Sequence, residues 1–350
     1  MNRRDFRIAG RTLGADHSPF VVAELSANHA QQLDVALRTI EAAGAAGADA
    51  VKAQAYTPDT LTIDVDSDYF RIQGTRWEGR TLYELYSEAH TPWDWLPRLQ
   101  QEAKDQGLEF FATAFDPTAV ALLESLGVPV HKAASFELVD IGLIEDMART
   151  GKPLILSTGM ATDEEIASAV SAAREAGAEE LMLLKCTSAY PAAPEEMNLR
   201  AIPYLAERFD VAVGLSDHTS GTTVPAAAVA LGASLVEKHL TLSRSLESAD
   251  SSFSLEPSEL AALVRAVREA HDALGEGTIG PTAEEEATLA LRRSLFVVAD
   301  IPEGEPFTHD NVRSIRPGHG LPPKHLEEVL RRRAARTIER GTPLDWSLIA

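Results

Sequence analysis

The strongest constraint on the fold is a unit that recurs along most of the chain. A short apolar run ends in polar residues, a helix-like stretch follows, and a glycine closes it shortly before the next run. The apolar runs cover 21–25, 50–54, 109–115, 130–135, 153–158, 181–187, 211–217 and 235–241. The closing glycines are Gly47, Gly107, Gly127, Gly151, Gly177 and Gly232. Glycine suits a helix end because it enters the left-handed region without a Cβ penalty. The stretches between, such as 163–176 and 257–274, are rich in Ala, Glu and Arg and read as amphipathic helices. Near-continuous apolar strands alternating with helices require a parallel sheet covered on both faces. Eight such units predict an α/β fold of the (β/α)8 TIM-barrel type, whose usual length of ~250 residues they match. A doubly wound open sheet is the alternative.

The chain between Tyr56 and Trp93 breaks the spacing. It has no clear period and carries Tyr69, Phe70, Trp77, Tyr83 and Tyr86. A connection this long is usually a functional lid or a disordered segment. The aromatic content favours an ordered lid over the barrel mouth, with a decorative insertion as the plain alternative.

After Leu274 the texture changes. The segment 275–288 is rich in Gly, Pro and Glu and reads as a linker. From Arg292 onward, short β-like pieces such as 295–298 are separated by turns, Arg316-Pro317-Gly318 among them, and only 325–333 looks helical. The expected organisation is a barrel over 1–274, a linker over 275–291 and a small β-rich domain over 292–350. At about 60 residues the last is marginal for an independent core, and it is expected to lean on the barrel or on a partner subunit.

Composition narrows the function. The formal net charge of −21, with no long basic run against it, argues against nucleic-acid or anionic-membrane partners. An anionic substrate would need a local cationic pocket. Cys186 is the only cysteine, so an intramolecular disulfide is excluded and a reducing compartment fits. The N-terminal Met1-Asn2-Arg3-Arg4 leads into no apolar segment, and no run approaches the ~18–20 residues of a membrane span. The expectation is a cytoplasmic protein.

In such a barrel the C-terminal strand ends build the site, and the two-residue period selects their inward face. The first run ends at Glu24, followed by Asn28 and His29, a set able to position a water or move protons. Alternatively, Glu24 caps a helix or pairs with a lysine. Lys52 and Gln54 share a face of the second run, and Lys132 lies in the fourth. Two lysines entering a barrel are costly to bury without anionic partners, which a substrate phosphate or carboxylate would supply. Thr113, Ser135 and Ser157 add hydroxyl donors. A structural pairing with Glu24 or Glu237 is the alternative, and a Schiff-base lysine fits less well.

His218 and His239 end consecutive runs. Neighbouring strands lie about 4.8 Å apart, so two inward imidazoles could share one metal and leave positions for water and a substrate oxygen. Core histidines are the alternative. Tyr190 could hydrogen-bond a sugar hydroxyl. Asp250, in the loop after the eighth run, could accept from one, or lie in a surface loop. Cys186 has no evident activating partner and reads as a buried thiol.

Several runs together resemble the nonulosonic (sialic) acid synthase family. They are Ala23-Glu24-Leu25-Ser26-Ala27-Asn28-His29, Lys185-Cys186-Thr187-Ser188, Gly214-Leu215-Ser216-Asp217-His218 and Glu237-Lys238-His239. The segments 292–297 and 313–318 resemble that family's antifreeze-like (SAF) domain, and the likeness runs from about Phe20 to Ile349. The runs 69–72, 79–83, 90–93 and 253–257 look more like the family's pseudaminic acid branch than its N-acetylneuraminate branch.

The resemblance implies a transferase that condenses phosphoenolpyruvate with an N-acylated amino sugar and water, releasing a nonulosonic acid and phosphate. A 2,4-diacetamido-2,4,6-trideoxyhexose is the expected sugar. It also implies that Lys52, Thr113, Lys132, Ser135, Ser157, Ser188 and Ser216 hold phosphoenolpyruvate. His218 and His239 would bind Mn2+, or else Mg2+ or Co2+, while Gln54, Tyr190 and Asp250 contact the sugar. Glu24 would position water, making Glu24, His218 and His239 the catalytic set. In this family a domain-swapped homodimer brings the C-terminal domain, here Arg316, to the partner's sugar.

Some residues depart from the family pattern. Glu247-Ser248-Ala249 stands where Gly-Gly-Pro is usual, Ala30-Gln31 where Asn-Gly is, and Ala53, Ala55 and Ala114 also differ. All lie near the mouth, so the sugar itself can differ. N-acetylneuraminate or legionaminate synthesis is the neighbouring reading. A metal-dependent pyruvate aldolase and a non-catalytic carbohydrate-binding protein are readings of other classes.

Overall fold

The computed structural model describes residues 5–75 and 77–350. The reading of Met1-Asn2-Arg3-Arg4 falls outside them. The chain forms two compact units, Met1–Gly275 and Glu276–Ala350.

The first unit opens with a hairpin that the sequence reading did not contain, β1 (Phe6–Ile8) and β2 (Arg11–Leu13). Eight parallel strands follow: β3 (Phe20–Glu24), β4 (Ala50–Ala55), β5 (Glu109–Ala114), β6 (His131–Ala133), β7 (Leu154–Ser157), β8 (Leu181–Cys186), β9 (Ala212–Asp217) and β10 (Leu235–His239). They pair in chain order, and β10 returns to β3, closing a barrel and ruling out the open sheet. Each expected run coincides with one of these strands to within two residues at either end. Burial on both faces explains why the runs are near-continuously apolar: every residue of β3, β7, β9 and β10 is buried.

The helices follow the expected logic. Helix Pro257–Asp272 starts with proline and a Glu256/Glu259 capping box, and it buries Leu260, Leu263, Val264 and Val267, a single helical face. Truncating one of these, as in Leu263→Ala, would cost about 2–5 kcal/mol. Helix Leu33–Ala46 ends at Gly47, whose φ of 85° satisfies two terminal carbonyls.

The hairpin β1–β2 belongs to the barrel floor. Phe6, Ile8 and Leu13 are fully buried in the main core. Arg7 donates to Glu180, just before β8, and Arg11 pairs with Asp49, just before β4. Three-residue strands are too short for a periodic signal.

The irregular excursion after β4 contains helix Leu82–Ala89, which the reading for period missed. Its signal is local: a Thr81/Glu84 capping box, then buried Leu85 and Ala89. Tyr69, expected to help order a lid, is 94% exposed.

The second unit pairs β11 (Ser294–Val297) with β12 (Val312–Ile315) and has its own apolar cluster, including Leu295, Phe307, Val312 and Leu344. The expected linker contains a short helix, Ala283–Glu286. The expected helical stretch 325–333 is α-helical only over Leu326–Val329, after a 3-10 turn over Pro323–His325. No helix among the described residues is long and apolar enough to cross a membrane.

Candidate active site

Strand register gathers the polar residues at the C-terminal end of the barrel. Glu24 lies opposite Lys52, Gln54 opposite Thr113, Thr113 opposite Lys132, and His239 opposite Glu24. One cavity is lined by Glu24, Lys52, Gln54, Thr113, Lys132, Ser135, Ser157, Tyr190, Ser216, His218 and His239, all of them predicted site residues. Ser188 adjoins it, its hydroxyl 3.8 Å from the Cys186 sulfur.

The cationic part rests on ion pairs and hydroxyls. Lys52 Nζ lies 2.7 Å from Glu24 Oε2 and 3.7 Å from Glu237, and donates to Thr113 Oγ1 at 2.6 Å. Lys132 Nζ donates to Ser157 Oγ at 2.6 Å and lies 4.0 Å from Glu237. The pairing with Glu24 and Glu237 is therefore real, and it occurs inside the cavity. Burial works against the charge on Lys52, but Glu237 and Glu24 outweigh it and raise its pKa. Burial dominates at Lys132 and lowers its pKa despite Glu237. Glu237, also buried, is held ionised by Lys132 and Lys52. Burial pushes Glu24 up to about 7, with Lys52 opposing and Glu237 assisting. A carboxyl that titrates near neutrality beside a cationic pocket is suited to proton transfer.

His218 and His239 stand with ring centroids 5.2 Å apart. Nδ1 of His218 is 2.9 Å from the Thr187 carbonyl, which fixes the ring and its tautomer. Burial, then the nearby His218 and Lys52, hold His239 well below the usual histidine range, so it is neutral. Its Nδ1 is buried with no hydrogen-bond partner among the described residues. Two oriented imidazoles, one with an unsatisfied buried nitrogen, fit a divalent transition-metal ion. Among the described residues no cluster of three or more His, Cys, Asp or Glu is set to hold a metal, so the other positions would fall to water or substrate oxygens. Behind them, Asp217 and Lys238 form a buried ion pair at 2.5 Å that anchors the ends of β9 and β10.

Tyr190 packs 4.4 Å from the His218 ring and 5.2 Å from Phe253, walling the imidazoles with aromatic surface. On this side Gln54 Nε2 donates to both Glu24 Oε1 and Ser26 Oγ, each at 3.0 Å. The Ser26 hydroxyl donates to Asp250 Oδ2. Asp250 thus joins the site network rather than lying in an open surface loop. Arg316 belongs to the second unit, near Leu289, Leu291 and Arg292.

Two expectations require correction. Asn28 and His29 do not serve Glu24. Asn28 Nδ2 donates to the Leu240 carbonyl and to Ser254 Oγ, while Ser248 Oγ donates to Asn28 Oδ1. His29 accepts from the Gln31 backbone, sits 3.3 Å from Thr91 Oγ1 and packs edge-on to Trp95; burial lowers its pKa to about 4. Both are fully buried.

Other residues escaped the sequence reading. Glu137, two positions past Ser135, has a buried Oε2 without a hydrogen-bond partner among the described residues, and burial pushes it up to about 7. Gly159 donates its N–H to Ser135 Oγ at 3.0 Å, and a Cβ there would collide with the Ser188 hydroxyl and lie 2.7 Å from that of Ser135. The signal for Gly159 was its place just beyond Ser157 at a strand end.

A closed (β/α)8 barrel with paired cations, a near-neutral carboxyl and two imidazoles in its mouth defines a barrel built for substrate chemistry at its C-terminal face. Residues 39–279 match the NeuB family, and residues 292–350 match the SAF domain. The chain belongs to the NeuB family. It is 45% identical over 332 residues to the pseudaminic acid synthase of Campylobacter jejuni, covering 95% of this chain and 97% of that protein. It is 44% identical to the pseudaminic acid synthase of Helicobacter pylori, covering 93% and 96%. Its fold matches the crystal structure of the N-acetylneuraminic acid synthetase from Leptospira borgpetersenii in complex with citrate. There the TM-score is 0.73 and the identity 32%, over 82% of this chain and 95% of that one.

Proposed function

We propose that this protein condenses phosphoenolpyruvate with an N-acylated amino sugar and water to give a nonulosonic acid and phosphate. The expected sugar is a 2,4-diacetamido-2,4,6-trideoxyhexose. The observation that carries the reading is the joining of Lys52, Lys132, Glu24, His218 and His239 in one cavity, in a chain with full-length likeness to pseudaminic acid synthases.

In this reading Lys52 and Lys132, with the hydroxyls of Thr113, Ser135, Ser157, Ser188 and Ser216, hold the phosphate and carboxylate of phosphoenolpyruvate. Gln54, Tyr190 and Asp250 orient the open-chain sugar. His218 and His239 would hold a divalent ion, Mn2+ by preference, whose contribution when bound is Lewis acidity at the sugar aldehyde. Carbon 3 of phosphoenolpyruvate bonds to the aldehyde carbon, and its π electrons leave a cation at carbon 2. Water positioned by Glu24 adds there, and its proton passes through Glu24 and finally balances the alkoxide formed from the aldehyde. The hydroxyl proton on the tetrahedral carbon then passes to the departing phosphate as the C–O bond breaks, leaving the ketone of the product and hydrogen phosphate. Holding both substrates in one mouth makes the carbon–carbon step effectively unimolecular, and the lysines stabilise charge without reorganisation.

The reading extends to a cytoplasmic homodimer in which Arg316 of each chain approaches the partner's sugar. Sedimentation analysis, together with the effect of Arg316→Ala on the sugar KM, tests that extension. The central test is phosphate release from phosphoenolpyruvate with a panel of sugars that includes 2,4-diacetamido-2,4,6-trideoxyhexoses and N-acetylmannosamine, with and without Mn2+. The trideoxyhexose is expected to react best. Preference for N-acetylmannosamine would move the chain to the neuraminate reading, and pyruvate use without phosphate would mark an aldolase.

A further inference from the structure

The sugar half of the site has a keystone that no substrate-facing role accounts for. Ser26, two residues past Glu24, is 1% exposed and has a φ of 48°, in the left-handed region that a non-glycine residue occupies only when its surroundings enforce it. Its hydroxyl does two things at once. It donates to Asp250 Oδ2 and accepts from Gln54 Nε2 at 3.0 Å. The same Gln54 nitrogen donates to Glu24 Oε1 at 3.0 Å. The result is a continuous chain, Glu24–Gln54–Ser26–Asp250, from the carboxyl proposed to handle water to the carboxylate proposed to read the sugar.

Two further contacts support the backbone of this loop. Ser254 Oγ donates to the Asp250 carbonyl, and Asn28 Nδ2 donates in turn to Ser254 Oγ. Ser248, two residues before Asp250, is tied to Asn28 Oδ1. Ser26 engages the carboxylate itself, with the Ala27 N–H at 3.5 Å from the same oxygen. Loss of the Ser26 hydroxyl would therefore leave these backbone contacts in place and remove the bridge between the Asp250 carboxylate and the Gln54 amide.

We propose that Ser26 is a positioning residue for the amino sugar, fixing the Asp250 carboxylate and the Gln54 amide in one arrangement relative to Glu24. The proposal rests on the condensation reading and deepens it. Both N–H···O contacts seen for Gln54 Nε2 are spent on the protein, so the amide oxygen is the part left to meet a sugar hydroxyl. The left-handed backbone aims the hydroxyl at Asp250, which explains why the strain is retained.

The test uses Ser26→Gly, which deletes the hydroxyl and relieves the backbone, and Ser26→Ala, which deletes the hydroxyl and keeps it strained. Steady-state phosphate release should show the sugar KM raised by about tenfold or more in both variants, with the phosphoenolpyruvate KM within about twofold of wild type. Placed on Asp250→Asn, either change should cost less than about twofold more, because the two residues act as one unit. A sugar KM unchanged in both variants, equal rises in both KM values, or losses that multiply on the Asp250→Asn background would each overturn the role of Ser26. A wild-type protein that releases no phosphate with any sugar overturns the condensation itself and so separates the two failures.

Discussion

Lys52 and Glu24 form a buried ion pair at 2.7 Å across adjacent strands, and Glu237 stands behind the lysine at 3.7 Å. The lysine is thus shared between two carboxylates, one of which titrates near neutrality. Replacing Glu24 with Gln keeps the shape and removes the proton acceptor. Turnover should fall by about 10^2–10^4-fold, while phosphoenolpyruvate binding, read by calorimetry, persists. Near-normal turnover would remove Glu24 from the chemistry.

The pH dependence follows from the same residue. Burial raises Glu24 to about 7, so below that pH it is protonated and cannot take a proton from water. The kcat/KM value for the sugar should therefore rise as pH increases through about 7, and Glu24→Gln should lack this limb. A wild-type profile flat between pH values of about 5 and 8 would count against a base at this position.

Metal dependence should trace to the paired imidazoles. Chelation is expected to abolish phosphate release and Mn2+ to restore it. His218→Ala and His239→Ala should each weaken Mn2+ binding, followed by electron paramagnetic resonance, by more than about a hundredfold. Retained Mn2+ affinity in both variants would place the ion elsewhere.

Gly159 should behave as a steric determinant of the phosphoenolpyruvate side. A methyl group there meets the Ser188 and Ser135 hydroxyls. Gly159→Ala is expected to raise the phosphoenolpyruvate KM by about tenfold and to cost about 1–3 kcal/mol of stability, with the sugar KM little changed. A wild-type KM would show that the two serines can move aside at no cost.

The pair Asp217–Lys238 gives a stability prediction. Both side chains are at most 1% exposed. Removing one partner strands a buried charge, so Lys238→Met should lower the unfolding free energy by about 3–5 kcal/mol in urea titration. Since Asp217 precedes His218, Mn2+ affinity should fall as well. Unchanged stability and affinity together would contradict this anchoring role.

The barrel was legible because its strands are buried on both faces and its helices close on glycine, two signals that survive in any order of side chains. Four candidate site residues, Lys52, Lys132, His218 and His239, were legible for a related reason: a lysine or histidine at the end of an apolar run is costly to bury without a partner, whereas Ser188, Ser216 and Arg316 were named only through the family resemblance. What stayed hidden depends on contacts between distant segments. Nothing local distinguishes the Ser26 hydroxyl from that of any other serine until Asp250 arrives beside it. His29 reads as a proton carrier beside Glu24 in sequence, yet the turn after β3 directs it toward Thr91 and Trp95. The hairpin β1–β2 and helix Leu82–Ala89 were missed because three residues, or two turns, carry too little periodicity.

Ser26 and Asp250 are separated by 224 positions, and Asn28 and Ser254 by 226. They meet only at the seam where β10 docks against β3. During synthesis the lysine-lined side can begin to assemble from neighbouring strands, but the Ser26–Asp250 contact, proposed to serve the sugar, does not exist until the barrel's last strand has been made and has found its first.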